Sequence, residues 1–165
     1  MIKTLIIVLS DRGSKGERVD ESGEILKEFL IEEGFDIRDK LIIPDEKDIL
    51  RKVFTDNINN FDFIITSGGT GITDRDITPD ITLEFIDKRI TGFEYAMVAN
   101  GLKKTPMASI SRAVAGLSGK TLIINLPGNP KSIKENFFPL IKAVKHIMQK
   151  IKEQNRDCQE QLKEL

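Results

Sequence analysis

A three-layer α/β/α sandwich on a mostly parallel sheet, with a small β-hairpin excursion, is predicted by three features of the sequence. Short apolar runs alternate with longer stretches whose apolar residues recur at helical spacing, the pattern of strand–helix–strand units. The first run, Leu5-Ile6-Ile7-Val8-Leu9, is apolar at every position, as expected when both faces of a strand are covered. Loops of unusual composition follow several of the runs, at the strand ends where an open α/β sheet gathers its ligand contacts.

Residues 2–9 are the first strand, and Ser10–Asp20 a loop. A helix starts at Glu21 or Ser22 and carries Ile25, Leu26, Phe29 and Leu30 on one face until Gly34 stops it. A second strand lies within Asp36–Ile43 and ends at Pro44-Asp45. The next helix runs from Glu46 to about Asn57 with Ile49, Leu50, Val53 and Phe54 inward, and Phe61–Thr66 is the third strand. A glycine loop then leads to a helix with Ile81, Phe85 and Ile86, capped by Asp80, and Thr91-Gly92 breaks it. Phe93, Ala96, Met97 and Leu102 mark another helix, stopped by Thr105-Pro106. Ser109–Ala113 and Lys120–Asn125 form two strands around Gly116–Gly119. A final long helix begins near Lys131 and carries Ile133, Phe137, Leu140, Ile141, Val144, Ile147, Met148 and Ile151.

The 165 residues fit one domain over 1–152, followed by a polar tail or helix extension over 153–165. A net charge of −1 offers no general attraction to a polyanion, so nucleic acid is not the expected partner. The single cysteine, Cys158, excludes an internal disulfide and is expected as an exposed thiol. The first apolar run is too short for a signal peptide and is interrupted at once by Asp11-Arg12. No stretch approaches the ~20 apolar residues of a membrane span. A soluble, cytoplasmic protein without membrane contact is expected.

The segment Thr66-Ser67-Gly68-Gly69-Thr70-Gly71-Ile72-Thr73-Asp74-Arg75-Asp76-Ile77-Thr78-Pro79-Asp80 carries most of the chemistry. Three glycines let backbone N–H groups close around an anion, although a tight turn requires the same residues. Arg75-Asp76 and Thr78-Pro79-Asp80 favour a phosphate and metal site. Asp45 and Asp76 each follow a strand and can share a crevice. Hard carboxylate oxygens suit Mg²⁺, which takes one or two of them together with substrate phosphates. Asp45 equally suits a helix N-cap. In Pro127-Gly128-Asn129-Pro130-Lys131-Ser132, Lys131 and Ser132 occupy a first helical turn that attracts phosphate, or simply follow a tight turn with Pro at N1. Ser111-Arg112 can reach an anionic ligand or remain solvated. Gly119-Lys120-Thr121 leads into a strand, so it is a hairpin turn and not a P-loop. His146 sits mid-helix without a nucleophile beside it in the pattern, and a catalytic triad is unsupported.

Taken in order, Ser10-Asp11-Arg12, Ile43-Pro44-Asp45, Gly68-Gly69-Thr70-Gly71 with Arg75–Asp80, Ser111-Arg112 and Asn125–Lys131 resemble the MogA/MoaB family of molybdenum-cofactor biosynthesis over nearly the whole chain. Lys131-Ser132-Ile133-Lys134-Glu135 looks more like the MogA branch. The resemblance implies molybdopterin adenylyltransferase activity, in which molybdopterin and MgATP give adenylyl-molybdopterin and pyrophosphate. It implies catalytic roles for the carboxylates at Asp45 and Asp76. It also implies that the glycine loop and the Pro-Gly loop line the pterin and nucleotide site. Homotrimers, with hexamers in the MoaB branch, and a downstream molybdenum-insertion protein belong to the same implication. The rival readings are a MoaB-like pterin-binding paralogue without adenylyl transfer and a scaffolding module.

Overall fold

The computed structural model describes the backbone of residues 1–161 and the side chains of residues 1–153. The expected exposed thiol of Cys158 therefore lies outside the described side chains. Six strands form one sheet in the order β2-β1-β3-β6-β5-β4: β1 Ile2–Leu9, β2 Phe35–Ile43, β3 Phe63–Ser67, β4 Lys88–Arg89, β5 Ala115–Ser118 and β6 Thr121–Leu126. β1 pairs in parallel with β2 and β3, and β3 with β6, whereas β5 runs antiparallel to both β6 and β4.

Alternation along β1 separates the two cores. Ile6 and Val8 face a layer made by α2 (Glu21–Glu32), α5 (Thr91–Leu102), α6 (Pro130–Asn136) and α7 (Ile141–Gln161), with Leu26, Leu30, Met97, Phe137 and Val144 buried there. Leu5, Ile7 and Leu9 face α3 (Lys47–Asn57) and α4 (Thr78–Phe85), where Leu50, Phe54 and Ile81 are buried. With both faces covered, the apolar run Leu5–Leu9 is fully accounted for.

Several elements differ from expectation. Part of the Ser10–Asp20 loop is a one-turn helix, α1 (Asp11–Ser14), whose N-cap Ser10 hydroxyl accepts the Gly13 N–H at 3.0 Å. Ile49 is 40% exposed; Leu50 and Phe54 carry the buried face of α3 without it. Asp80 does not cap α4, which starts at Thr78 after Ile77 and has Pro79 in its first turn. That helix ends at Phe85, and the two-residue strand β4 precedes α5. Residues 106–110 form a 3₁₀ turn, and the hairpin strands are Ala115–Ser118 and Thr121–Leu126, turning at Gly119-Lys120. The long last helix is two helices. Pro139, with no N–H and a ring that crowds the carbonyl four residues back, ends α6, and a 3₁₀ turn at Phe138–Leu140 intervenes before α7. His146 lies exposed on α7. Among the described residues no helix is long and apolar enough to cross a membrane.

Candidate active site

The sheet order reverses direction at β1, with β2 on one side and β3 on the other. The carboxyl ends of β1 and β3 flank the switch point, where an open α/β sheet leaves a crevice. A cavity of about 910 Å³ opens there. Ser10, Asp11 and Arg12 enter it from α1, Asp45 from the end of β2, and Gly68–Gly71 with Asp76 from the loop after β3. Ser111 closes another side, and Pro127, Gly128, Asn129 and Ser132 come from the loop after β6.

The glycine loop is shaped by backbone that only glycine takes without strain. Gly68 has φ +106° and a Cβ there would lie 2.3 Å from the Leu9 carbonyl oxygen. Gly69 has φ +64°, and its Cβ would meet Thr78 Oγ1 at 2.5 Å and Asp45 Oδ1 at 3.2 Å. The loop is then tied down by side chains. Thr78 Oγ1 donates to the Gly68 carbonyl at 2.8 Å, and Arg112 Nε donates to the Gly71 carbonyl at 2.7 Å.

These ties revise the phosphate cradle expected at Gly68–Gly71. The Gly68 N–H donates to the Leu126 carbonyl at 2.9 Å, and the Gly71 N–H faces the Asp76 carboxylate. Among the described residues, the N–H groups of Gly69 and Thr70 are the two in this stretch that make no hydrogen bond within the chain.

The two carboxylates differ in setting. Asp45 is half-buried. Burial, together with the neighbouring Asp11 and Asp76 carboxylates, pushes its pKa above the ordinary carboxylate value against the opposing Asp11 N–H and Arg75 guanidinium. The helix-cap alternative for Asp45 is not realised: α3 is preceded by Glu46 without a side-chain cap, and Asp45 Oδ2 instead accepts the Asp11 N–H at 3.1 Å. Asp76 Oδ2 accepts the Thr73 N–H at 2.9 Å and the Thr73 hydroxyl at 2.7 Å. Burial raises its pKa, but those bonds, the Gly71 N–H and the Arg112 charge outweigh it and leave Asp76 below the ordinary value.

Among the described residues no group of three or more His, Cys, Asp or Glu side chains forms a metal cage. The pair Asp45 and Asp76 nevertheless fits Mg²⁺, which seeks one or two carboxylates and completes its shell with water and phosphate oxygens. Burial is the main cause of the raised Asp45 pKa, and the smaller contributions of the Asp11 and Asp76 carboxylates are of the sign a cation relieves.

Two expected ligand residues lie off the cavity. Arg112 spends its guanidinium on the Gly71 and Asp76 carbonyls and on Asp80, the last at 2.8 Å, so it braces the loop. Lys131 is exposed: the cavity side of α6 is Ser132, Glu135 and Asn136, a spacing of three and four that turns the preceding position away. Asn129 caps α6 by accepting the Lys131 N–H at 2.9 Å, and that helix has seven residues.

The structure also adds wall residues that the sequence reading passed over. Arg18, Val19 and Asp20 form a rim, with Asp20 capping α2 at 2.8 Å and pairing with Lys40 at 2.7 Å. Met107 and Ile110 arrive on the 3₁₀ turn, part of which is expected as a strand from the sequence. Arg75, which the sequence ties with Asp76 to a phosphate and metal site, also lines the cavity.

Residues 5–146 match the family described as probable molybdopterin binding domain. The molybdopterin adenylyltransferase of Helicobacter pylori strain J99 is 37% identical over 147 residues, covering 87% of this chain and 84% of that protein. The molybdopterin biosynthesis Mog protein of Mycobacterium ulcerans superposes with a TM-score of 0.86 at 36% identity, covering 92% of this chain and 99% of that one. The molybdopterin biosynthesis enzyme MoaB of Thermus thermophilus gives 0.82 at 37% identity, over 92% and 96% of the two chains. The chain belongs to this molybdenum-cofactor biosynthesis family, with the MogA/MoaB fold.

Proposed function

We propose that this family member is a molybdopterin adenylyltransferase that transfers AMP from MgATP to the terminal phosphate of molybdopterin. The observation that carries the reading is the meeting of Asp45 and Asp76 over an open glycine loop at the sheet's switch point. The similarity to the Helicobacter pylori adenylyltransferase supports it along 87% of the chain.

In the reaction a phosphate oxygen of molybdopterin forms a bond to the α-phosphorus of ATP while the bond to the β-phosphate oxygen breaks, and pyrophosphate leaves with that electron pair. The attacking phosphate is already ionised near neutral pH, so no residue is needed as a general base. The protein's task is alignment and charge stabilisation. The Gly69 and Thr70 N–H groups hold phosphate oxygens. Ser111, Ser132 and the Pro127-Gly128-Asn129 wall shape the far side, and Ser10, Asp11 and Arg12 the near one. Asp45 and Asp76 would hold Mg²⁺, which would supply charge neutralisation to the phosphates. A cytoplasmic homotrimer is the proposed working form, handing its product to a molybdenum-insertion protein.

Single-turnover incubation with molybdopterin, α-labelled ATP and Mg²⁺ tests the reading. Adenylyl-molybdopterin and pyrophosphate are expected in equal amounts, and light scattering during size exclusion checks the trimer. The alternative is a MoaB-like pterin-binding paralogue, which would take up molybdopterin and consume no ATP. The chain is 37% identical both to the Thermus thermophilus MoaB and to the Helicobacter pylori adenylyltransferase, so the assay and not the identity decides.

A further inference from the structure

We propose that Arg75 is a positioning residue that fixes the Asp45 carboxylate through Asp11, an inference that rests on the adenylyltransferase reading. Arg75 Nη2 donates to both Asp11 carboxylate oxygens at 2.7 Å, and Nη1 donates to Glu46 Oε1 at 3.0 Å. Asp11 follows β1, Glu46 follows β2 and Arg75 belongs to the loop after β3. One guanidinium thus ties together three strand-end loops that build the cavity.

The tie extends to Asp45 by a reciprocal pair of hydrogen bonds. Asp11 Oδ1, already gripped by Arg75, accepts the Asp45 N–H at 3.1 Å. The Asp11 N–H in turn donates to Asp45 Oδ2 at 3.1 Å. Asp45 therefore takes its backbone anchor from the Asp11 carboxylate and its side-chain anchor from the Asp11 amide. Rotation of the Asp11 carboxylate would release the first and loosen the second. Arg75 prevents that rotation by occupying both oxygens.

Exposure decides how such a role would show itself. The Arg75 and Asp11 side chains are 54% and 41% exposed, and ion pairs of that kind add little to stability. Loss of Arg75 should therefore leave the fold in place and appear in the geometry of Asp45. The sign of the effect on cation binding is diagnostic. If Arg75 acted only as a charge, its removal would leave the neighbouring carboxylates more negative and tighten a divalent cation. If it positions Asp45, its removal weakens the cation in spite of that electrostatic gain. Lysine supplies the other control, because it keeps the charge but cannot span both Asp11 oxygens and Glu46 as a planar fork does.

The test uses Arg75→Gln, Arg75→Lys, Asp11→Asn and the Arg75→Gln/Asp11→Asn double variant. Mn²⁺ affinity is read by electron paramagnetic resonance with a non-hydrolysable ATP analogue, alongside single-turnover transfer, pterin affinity and urea denaturation. Each single variant is expected to weaken Mn²⁺ about 10-fold, the effect typical of a lost outer-shell partner. Transfer should slow by about 10- to 100-fold with the denaturation midpoint retained, and in the Arg75 variants pterin affinity should fall by less than Mn²⁺ affinity. The double variant should be no worse than the poorer single, since the two residues act as one unit. The proposal is overturned if Mn²⁺ binds Arg75→Gln more tightly, if Arg75→Lys restores wild-type behaviour, or if the two losses simply add. Wild-type protein that forms no product would refute the transferase reading alone, and the Mn²⁺ affinities would still decide the role of Arg75.

Discussion

The glycine loop and the Pro-Gly loop touch across the cavity floor, where a Cβ on Gly128 would lie 3.3 Å from the Gly68 Cα, yet they are held in opposite ways. The glycine loop is braced from within and from both sides: Thr73 binds Asp76, Thr78 binds Gly68, and Arg112 binds Gly71 and Asp80. The Pro-Gly loop is pinned chiefly at its ends. The Leu126 carbonyl accepts the Gly68 N–H at 2.9 Å, the Ser67 hydroxyl meets the Pro127 carbonyl at 3.3 Å, and Asn129 caps α6. Fixed dipoles and charges aimed at developing charge lower a barrier only when they do not reorganise. The braced loop is built to act on charge, and the other to close a wall and start a helix.

Substitutions can break or sharpen that contrast. The largest effect is expected for Asp76→Asn, which should slow adenylyl transfer by about 10²- to 10³-fold, the scale of lost transition-state electrostatics, while pterin affinity in equilibrium binding changes little. An equal loss from Ser132→Ala would erase the distinction between the loops. The next effect compares the glycines. Gly69→Ala forces a side chain into positive φ against Thr78 and Asp45 and should cost roughly 1–3 kcal/mol in urea denaturation. Gly128→Ala would crowd the Gly68 backbone, with the Cα at 3.3 Å, but its φ is not positive, and it should cost less than Gly69→Ala.

Smaller again is Asn129→Ala, which removes the α6 cap and should lower stability by about 1 kcal/mol, with transfer reduced by less than in Arg112→Met. The smallest effect depends on pH. Because burial and neighbouring carboxylates raise the Asp45 pKa, the folded state holds that proton more tightly than the unfolded one does. Its contribution is complete in acid below the unfolded carboxylate range and is lost as pH rises through the raised value. Asp45→Asn should therefore be more stable than wild type at about pH 8, with the gain absent near about pH 3. A constant difference across that range, measured by urea midpoints, would remove the electrostatic cost assigned to Asp45.

How much of this was legible in the sequence follows from which interactions are local. A continuous apolar run located β1, and helical spacing located α2, α3 and α5, because their buried positions follow from the local pattern alone. The loop motifs placed Asp45, Asp76 and the glycines correctly at strand ends, since strand-then-loop order alone puts them on one edge of a parallel sheet. The misread elements were those set by a single residue or by tertiary pairing. Pro139 splits the last helix although the apolar spacing runs through it. β4 has two residues and exists only by pairing with β5. Residues 109–113 have apolar and polar neighbours enough for a strand, but no partner strand lies beside them. Arg112 and Lys131 show the same limit at the side-chain level. Sequence supplies a cation near the site, and only the fold reveals that Arg112 is spent on carbonyls and that Lys131 faces outward.

The pairing of β3 with β6 also governs when the protein becomes competent. Asn125 on β6 binds Thr66 on β3 across 59 positions, and both Gly68 and Ser67 complete their contacts only with Leu126 and Pro127, at and just beyond the end of β6. Closing so long a loop is entropically costly and slow compared with docking β1, β2 and α2, whose contacts are nearer in sequence. The side of the cavity that carries Asp11 and Asp45 thus closes over a shorter stretch of chain than the side that carries the glycine loop. Completion of the cavity wall is therefore expected to wait on the longest of these closures, and pulsed hydrogen exchange during refolding checks that order.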